Sequence, residues 1–195
     1  MFLTVNEKNV LRFLAVNVRD YSINEIARKC ALTPNGAYKI LKKLEHEGVI
    51  KPKKVANILS YKLDFSNVKT LKILELSFIP EKLEGRIKHR AEDLELLKNI
   101  TSICIVFGSY MTEKKEPEDL DLLFVLEKEE FGSYKKTINK IKDITPVKIQ
   151  DIIQNSKDLM ENIKKEDPVI LASINKGIVL WGFEKLAKMI ENVHK

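Results

Sequence analysis

A chain of 195 residues, 44% hydrophobic and 32% charged, is long enough to bury a true core as one large domain or two small ones, and this balance is that of a soluble globular protein. Its apolar runs fall short of a bilayer span and its first residues lack a secretory pattern, which excludes a membrane protein and points to the cytoplasm. The net charge of +6 is unevenly held: residues 1–65 carry 12 Lys/Arg against 6 Asp/Glu, whereas residues 66–195 carry 22 of each, so the first third is the part suited to a polyanionic partner.

The first predicted element is a helix from about Asn6 to Val16, with Val10, Phe13 and Leu14 on its apolar side. Ser22-Ile23-Asn24-Glu25 has the capping-box pattern and opens a second helix, with Ile26, Ala27 and Cys30 directed inward. Thr33-Pro34 supplies an N-cap and a proline at the first helical position, so a third helix starts there and runs to about Glu47, before Gly48. Ala37, Leu41 and Leu44 form its inner face; Asn35, Tyr38, Lys39, Lys42 and Lys43 form the outer one. Val49-Ile50, the basic run Lys51-Pro52-Lys53-Lys54 and the segment Asn57 to Leu63 predict two short strands around a basic turn.

Helix, helix-turn-helix and hairpin in this order, with Leu32-Thr33, Leu41, Leu44 and Gly48-Val49-Ile50 in place, resemble the winged helix-turn-helix domains of archaeal and bacterial regulators over about residues 5–65. The resemblance implies that the third helix enters the major groove of duplex DNA, with Asn35, Tyr38, Lys39 and Lys42 facing it. It also implies that the wing meets phosphates through Lys51, Lys53 and Lys54. The alternatives are a solvated lysine face or a winged helix used for protein contact.

Residues 66–99 form a predicted helical connector. Asn67 to Phe78 reads as helix, Pro80 interrupts it, and Glu81 to Asn99 resumes with Leu83, Ile87, Leu94 and Leu97 at helical spacing. It can pack on both domains or on a second subunit in a homodimer. His46, His89 and His194 stand alone among charged residues and read as solvated, while Trp181 reads as core. Cys30 and Cys104 lie among apolar residues, as reduced core thiols do.

Ser102 to Phe107 is an apolar run that ends at Gly108-Ser109, a strand feeding a tight turn. The next apolar run, Leu120 to Leu126, begins with Asp119 and Asp121 at i and i+2, hence on one face of a strand. Neighbouring carboxylates repel, and a magnesium ion shared with substrate phosphates relieves the repulsion. A Gly-Ser turn beside them offers N–H groups and a hydroxyl to a triphosphate. Further on, helices are predicted at Ser133 to Asp143, Ser156 to Ile163 and Phe183 to Val193, and strands at Val147 to Ile153 and Gly177 to Trp181, which makes an α/β domain.

Gly108-Ser109, nine residues and Asp119-x-Asp121 together resemble the signature of the minimal nucleotidyltransferases of the polymerase-beta-type superfamily. The likeness covers about residues 100–185, including the tail Asp167-Pro168 and Gly177 to Gly182. It implies that Gly108 and Ser109 hold the β- and γ-phosphates of a nucleoside triphosphate, and that Asp119 and Asp121 are the catalytic, metal-binding residues for Mg2+. Two departures stand out. The spacer Tyr110 to Glu118 is shorter and poorer in glycine and arginine than the family's, and Lys148 stands where a third carboxylate is expected. Asp151, the nearest acid, has the opposite strand parity. The missing acid is the one that helps activate the attacking hydroxyl.

The chain is thus expected to hold two domains: an α+β winged helix-turn-helix at 1–65 and, after the connector at 66–99, an α/β nucleotidyltransferase-like domain at 100–195. Two functions stay open. In one, Mg-NTP is bound and a nucleoside monophosphate is transferred to an acceptor such as a protein hydroxyl. In the other, a transcriptional regulator carries an inactive transferase-like domain that senses a nucleotide or joins a partner protein.

Overall fold

The computed structural model describes residues 3–55, 58–111 and 117–195; Asn57 of the expected wing and Thr112 to Glu116 of the spacer therefore lie outside the described residues. The N-terminal part opens with three helices, α1 (Val5–Val16), α2 (Ile23–Lys29) and α3 (Pro34–His46). The first two start in capping boxes, Thr4 with Glu7 and Ser22 with Glu25, which satisfy N–H groups that a helix start leaves orphaned. At α3 the Thr33 hydroxyl accepts from the Gly36 N–H at 3.1 Å, and Pro34 follows at a position needing no donor. Ala37, Leu41 and Leu44 are buried as the spacing requires, whereas Cys30 at the end of α2 is only half-buried.

Strands β1 (Ile50–Val55) and β2 (Ile58–Leu63) pair antiparallel, Pro52 opposite Tyr61. The basic run is therefore not the turn of the wing but its first strand. Pro52 is tolerated because β1 has β2 as its sole neighbour and leaves one edge unpaired. Helix α4 (Val68–Phe78) begins where expected, capped by Asn67. The rest of the connector differs from expectation. Glu84 is extended, so α5 spans only Gly85–Asp93, and one 3-10 turn at Glu95–Leu97 carries the chain to the next strand. Leu94 and Leu97 are buried, while Leu83 and Ile87 are half-buried.

The remaining elements are β3 (Ile103–Phe107), β4 (Asp119–Val125), α6 (Phe131–Ile144), β5 (Lys148–Gln154), α7 (Ser156–Lys164), α8 (Pro168–Lys176), β6 (Ile178–Trp181) and α9 (Phe183–His194). Their sheet has the order β5-β4-β3-β6, with β4 and β5 parallel and the other pairs antiparallel. Alternation gives each strand two burial surfaces. Cys104, Val106, Leu122 and Phe124 join Tyr134, Ile138 and Ile141 of α6 on one face. Ile105, Leu123, Val125 and Val179 join α7, α8 and α9 on the other. Trp181 is buried on the α6 side, its indole N–H donating to the Thr101 carbonyl at 3.2 Å.

The second core does not stop at the domain seam. It continues into Val10, Leu11 and Leu14 of α1 and Ile73, Leu74 and Phe78 of α4. Arg12 of α1 crosses the seam: its guanidinium donates to the Ser77 carbonyl at 2.8 and 2.6 Å and to the Gly177 carbonyl at 3.3 Å, beside the Phe78 ring. Burial lowers its pKa to about 10. Gly177 is packed so closely that a Cβ would lie 2.7 Å from the Val106 carbonyl oxygen. Arg19 pairs with Glu166, and the ring of His194 meets the Ala15 carbonyl at 2.7 Å. His194 is thus a partly buried contact between α9 and α1, not a solvated residue; His46 and His89 are exposed. Among the described residues no helix is long and apolar enough to cross a membrane.

Candidate functional site

The C-terminal end of β3 and the start of β4, the two central strands, meet at one end of the sheet. Phe107, the last residue of β3, is opposite Asp121, and the chain then turns at Gly108 with φ +73°. That conformation favours glycine, and a Cβ there would collide with the Asp121 carboxylate, its Cγ only 2.8 Å away. The close approach lets the Ser109 N–H bond to Asp121, while the Ser109 hydroxyl donates to Asp119 Oδ1 at 3.3 Å. Glycine, serine and both aspartates therefore come together, as their spacing suggests.

The Asp121 carboxyl titrates above the usual range. Burial is the main cause, the neighbouring Asp119 charge adds to it, and the Ser109 N–H opposes both. Such a pair is short of positive charge. Residues Asp119 and Asp121 fit one divalent ion with further oxygens supplied by a ligand, the usual habit of magnesium. They do not by themselves make a larger cage: the described residues include no group of three or more His, Cys, Asp or Glu side chains placed to hold a metal.

Strand β5 explains why. In its parallel register Lys148 stands beside Asp119 and Gln150 beside Asp121, so both share the face of the carboxylates. Gln150 Nε2 donates to Asp119 Oδ2, a contact that sequence reading missed although Gln150 follows Lys148 at strand parity. Asp151 is beside Leu122 and points to the α6 side. There it accepts from Tyr134 Oη at 2.9 Å and Lys142 Nζ at 2.5 Å. Burial, then the Asp151 charge, pushes the Tyr134 phenol far up.

In the N-terminal domain the outer face of α3 carries Asn35, Tyr38, Lys39 and Lys42, all exposed. Their spacing puts them along one helix side. Lys42 pairs with Glu45 at 2.7 Å and lies 6.0 Å from the Tyr38 ring centroid. Lys43 departs from this face and bonds to buried Glu7 of α1 at 2.6 Å. The wing lysines divide by strand alternation. Lys51 and Lys53 take one side, bonded to Asp64 at 3.1 Å and Asp20 at 2.9 Å. Lys54 takes the side of Pro52 and has no ion-pair partner among the described residues.

Helix α8 was not foreseen, although Asp167-Pro168 repeats the signal that opens α3. The Asp167 carboxylate accepts from the N–H groups of Val169 and Ile170, each at 3.0 Å. Sequence reading treated the segment as a tail, and the helix matters because its end holds Gly177 against β3.

Comparison with known families agrees with this geometry. A family model described as polymerase beta, nucleotidyltransferase matches residues 86–176, and one described as winged helix-turn-helix DNA-binding matches residues 3–51. No curated protein and no solved structure matches the chain. The chain joins an N-terminal winged helix-turn-helix DNA-binding domain to a nucleotidyltransferase domain of the polymerase-beta-type superfamily.

Proposed function

We propose that this protein binds duplex DNA through residues 1–65 and a magnesium–nucleoside triphosphate through residues 100–195, with 66–99 as connector, and acts as a nucleotide-responsive regulator rather than an efficient transferase. Asn35, Tyr38, Lys39 and Lys42 contact the DNA groove, and Lys51, Lys53 and Lys54 its phosphates. Gly108 and Ser109 take the phosphate tail, while Asp119 and Asp121 hold the ion, which offsets charge that the triphosphate and carboxylates bring together.

The observation that carries this choice is the face of β5 shared with Asp119 and Asp121, which presents Lys148 and Gln150. Neither is a carboxylate able to take a proton from an attacking hydroxyl, and Asp151 is committed to Lys142 and Tyr134 on the other side of the sheet. Transfer to an acceptor, a protein hydroxyl among them, is the second reading. The close-set Gly108, Ser109, Asp119 and Asp121 favour it.

Incubating the full chain with labelled NTPs and magnesium separates the two. Bound label that is released on denaturation, and lost in the Asp119→Ala/Asp121→Ala variant, supports the regulator. Label that stays covalently attached to the protein or an added acceptor supports the transferase. On the DNA side, the full chain is expected to bind duplex fragments with an affinity that falls steeply as salt rises. Lys39→Glu/Lys42→Glu should abolish that binding. Unchanged binding by this variant would rule out α3 as the DNA-reading element.

A further inference from the structure

The carboxylates of β4 face a row that offers a cation where a second metal ion would need an anionic ligand. Lys148 is the Cα partner of Asp119 across the β4–β5 pair, and its side chain is exposed. It has no hydrogen-bond or ion-pair partner among the described residues. Gln150, next on the same face, occupies Asp119 Oδ2, and the Ser109 hydroxyl occupies Oδ1. The lone pairs that remain on the Asp119 and Asp121 oxygens suit one hard cation, which takes its other ligands from phosphate and water. A second divalent ion at the β5 row would meet an ammonium group and an amide in place of a carboxylate, and like charges at close range repel.

We propose that Lys148 takes the place of a second metal ion: the cleft holds a nucleoside triphosphate with a single divalent cation on Asp119 and Asp121, and the Lys148 ammonium binds the phosphate tail directly. This rests on the nucleotide-binding function proposed above and gives that site its charge arrangement. Lysine is suited to the task. Its ammonium is a compact charge on a flexible stem, and it binds phosphate as a point charge without the fixed fork that arginine needs. The same substitution turns the site from one that activates an acceptor into one that retains a ligand. No carboxylate on β5 faces the cleft to receive a proton, and the cation there stabilises the bound triphosphate rather than an attacking alkoxide.

The test uses the full chain, with calorimetry for Mg-ATP, Mg-GTP, Mg-CTP and Mg-UTP and electron paramagnetic resonance to count Mn2+ held in the nucleotide complex. Wild type should hold one Mn2+ per chain. Lys148→Ala should weaken NTP binding roughly ten- to a hundredfold, the scale of one hydrogen bond to a charged group. It should leave the ion count at one, and Lys148→Arg should retain binding. Lys148→Asp should raise the count to two. Two ions in wild type, undiminished binding by Lys148→Ala, or a count of one in Lys148→Asp would each overturn the inference while leaving nucleotide binding intact. Failure of wild type to bind any of the four nucleotides would instead overturn the function proposed above, and this inference with it.

Discussion

Strands β4 and β5 lie side by side in parallel, and both carry acids, yet they contribute opposite chemistry to the same face of the sheet. β4 turns Asp119 and Asp121 toward the Gly108-Ser109 turn, where they crowd each other. β5 turns Lys148 and Gln150 into that space and sends its one aspartate to the far side, into a bond with Tyr134 and Lys142. The number of acids near a site therefore says little by itself. What decides their role is which row of the pleat each occupies, because a step of one residue exchanges a cleft for a core.

The sharpest way to break this comparison is to remove the acids of β4. Asp119→Asn/Asp121→Asn should relieve repulsion and leave the fold intact, but NTP affinity should lose its magnesium dependence and fall roughly a hundredfold or more, the loss of two charge-assisted contacts. Calorimetry with and without magnesium reads this directly. Gly108→Ala comes next. The new Cβ would strain a left-handed backbone at a cost of about 1–3 kcal/mol and displace Asp121, so both the melting temperature and Mg-NTP affinity should fall. For the acid of β5 the comparison predicts a split. Asp151→Asn should destabilise the protein by about 1–3 kcal/mol, because Lys142 and buried Tyr134 lose a charged partner. Its Mg-NTP affinity should equal that of wild type, and a large affinity loss at unchanged stability would put Asp151 back in the site. Ser109→Ala should have the smallest effect, roughly 0.5–1.5 kcal/mol in binding for one hydroxyl donor.

The legible parts of the molecule were those written in local spacing. Capping at Ser22 and Thr33, the inner face of α3 and the shared side of Asp119 and Asp121 each depend on residues within one turn or two strand positions. The bond from Gln150 to Asp119 was not legible, since it joins residues 31 apart and needs the register between their two strands. Lys43 was assigned to the outer face of α3 by helical period alone, but Glu7, 36 residues earlier, draws it back to α1. The shortened α5 was overestimated for a different reason. Leucines at helical spacing continue through Leu94 and Leu97, yet Leu94 caps α5 and Leu97 joins the same core from the 3-10 turn that follows. In α8 the signal was present and local, and it was passed over.

Arg12 gives the join between the domains one contact that ionic strength touches little, beside the partly exposed Arg19–Glu166 pair that salt does screen. At physiological salt exposed charges are screened over about 8 Å, so the lysines proposed to meet DNA should lose their hold on phosphate as salt is added. The half-buried Arg12 guanidinium is tied to neutral carbonyls of Ser77 and Gly177 beside the Phe78 ring, so its partners carry no charge for salt to screen. Concentrated salt should therefore weaken the proposed DNA contact while the Arg12 bonds and the shared apolar core still join the two halves. The Gly108 turn should keep its shape under the same conditions, because Gly177 packs against Val106 two residues before it.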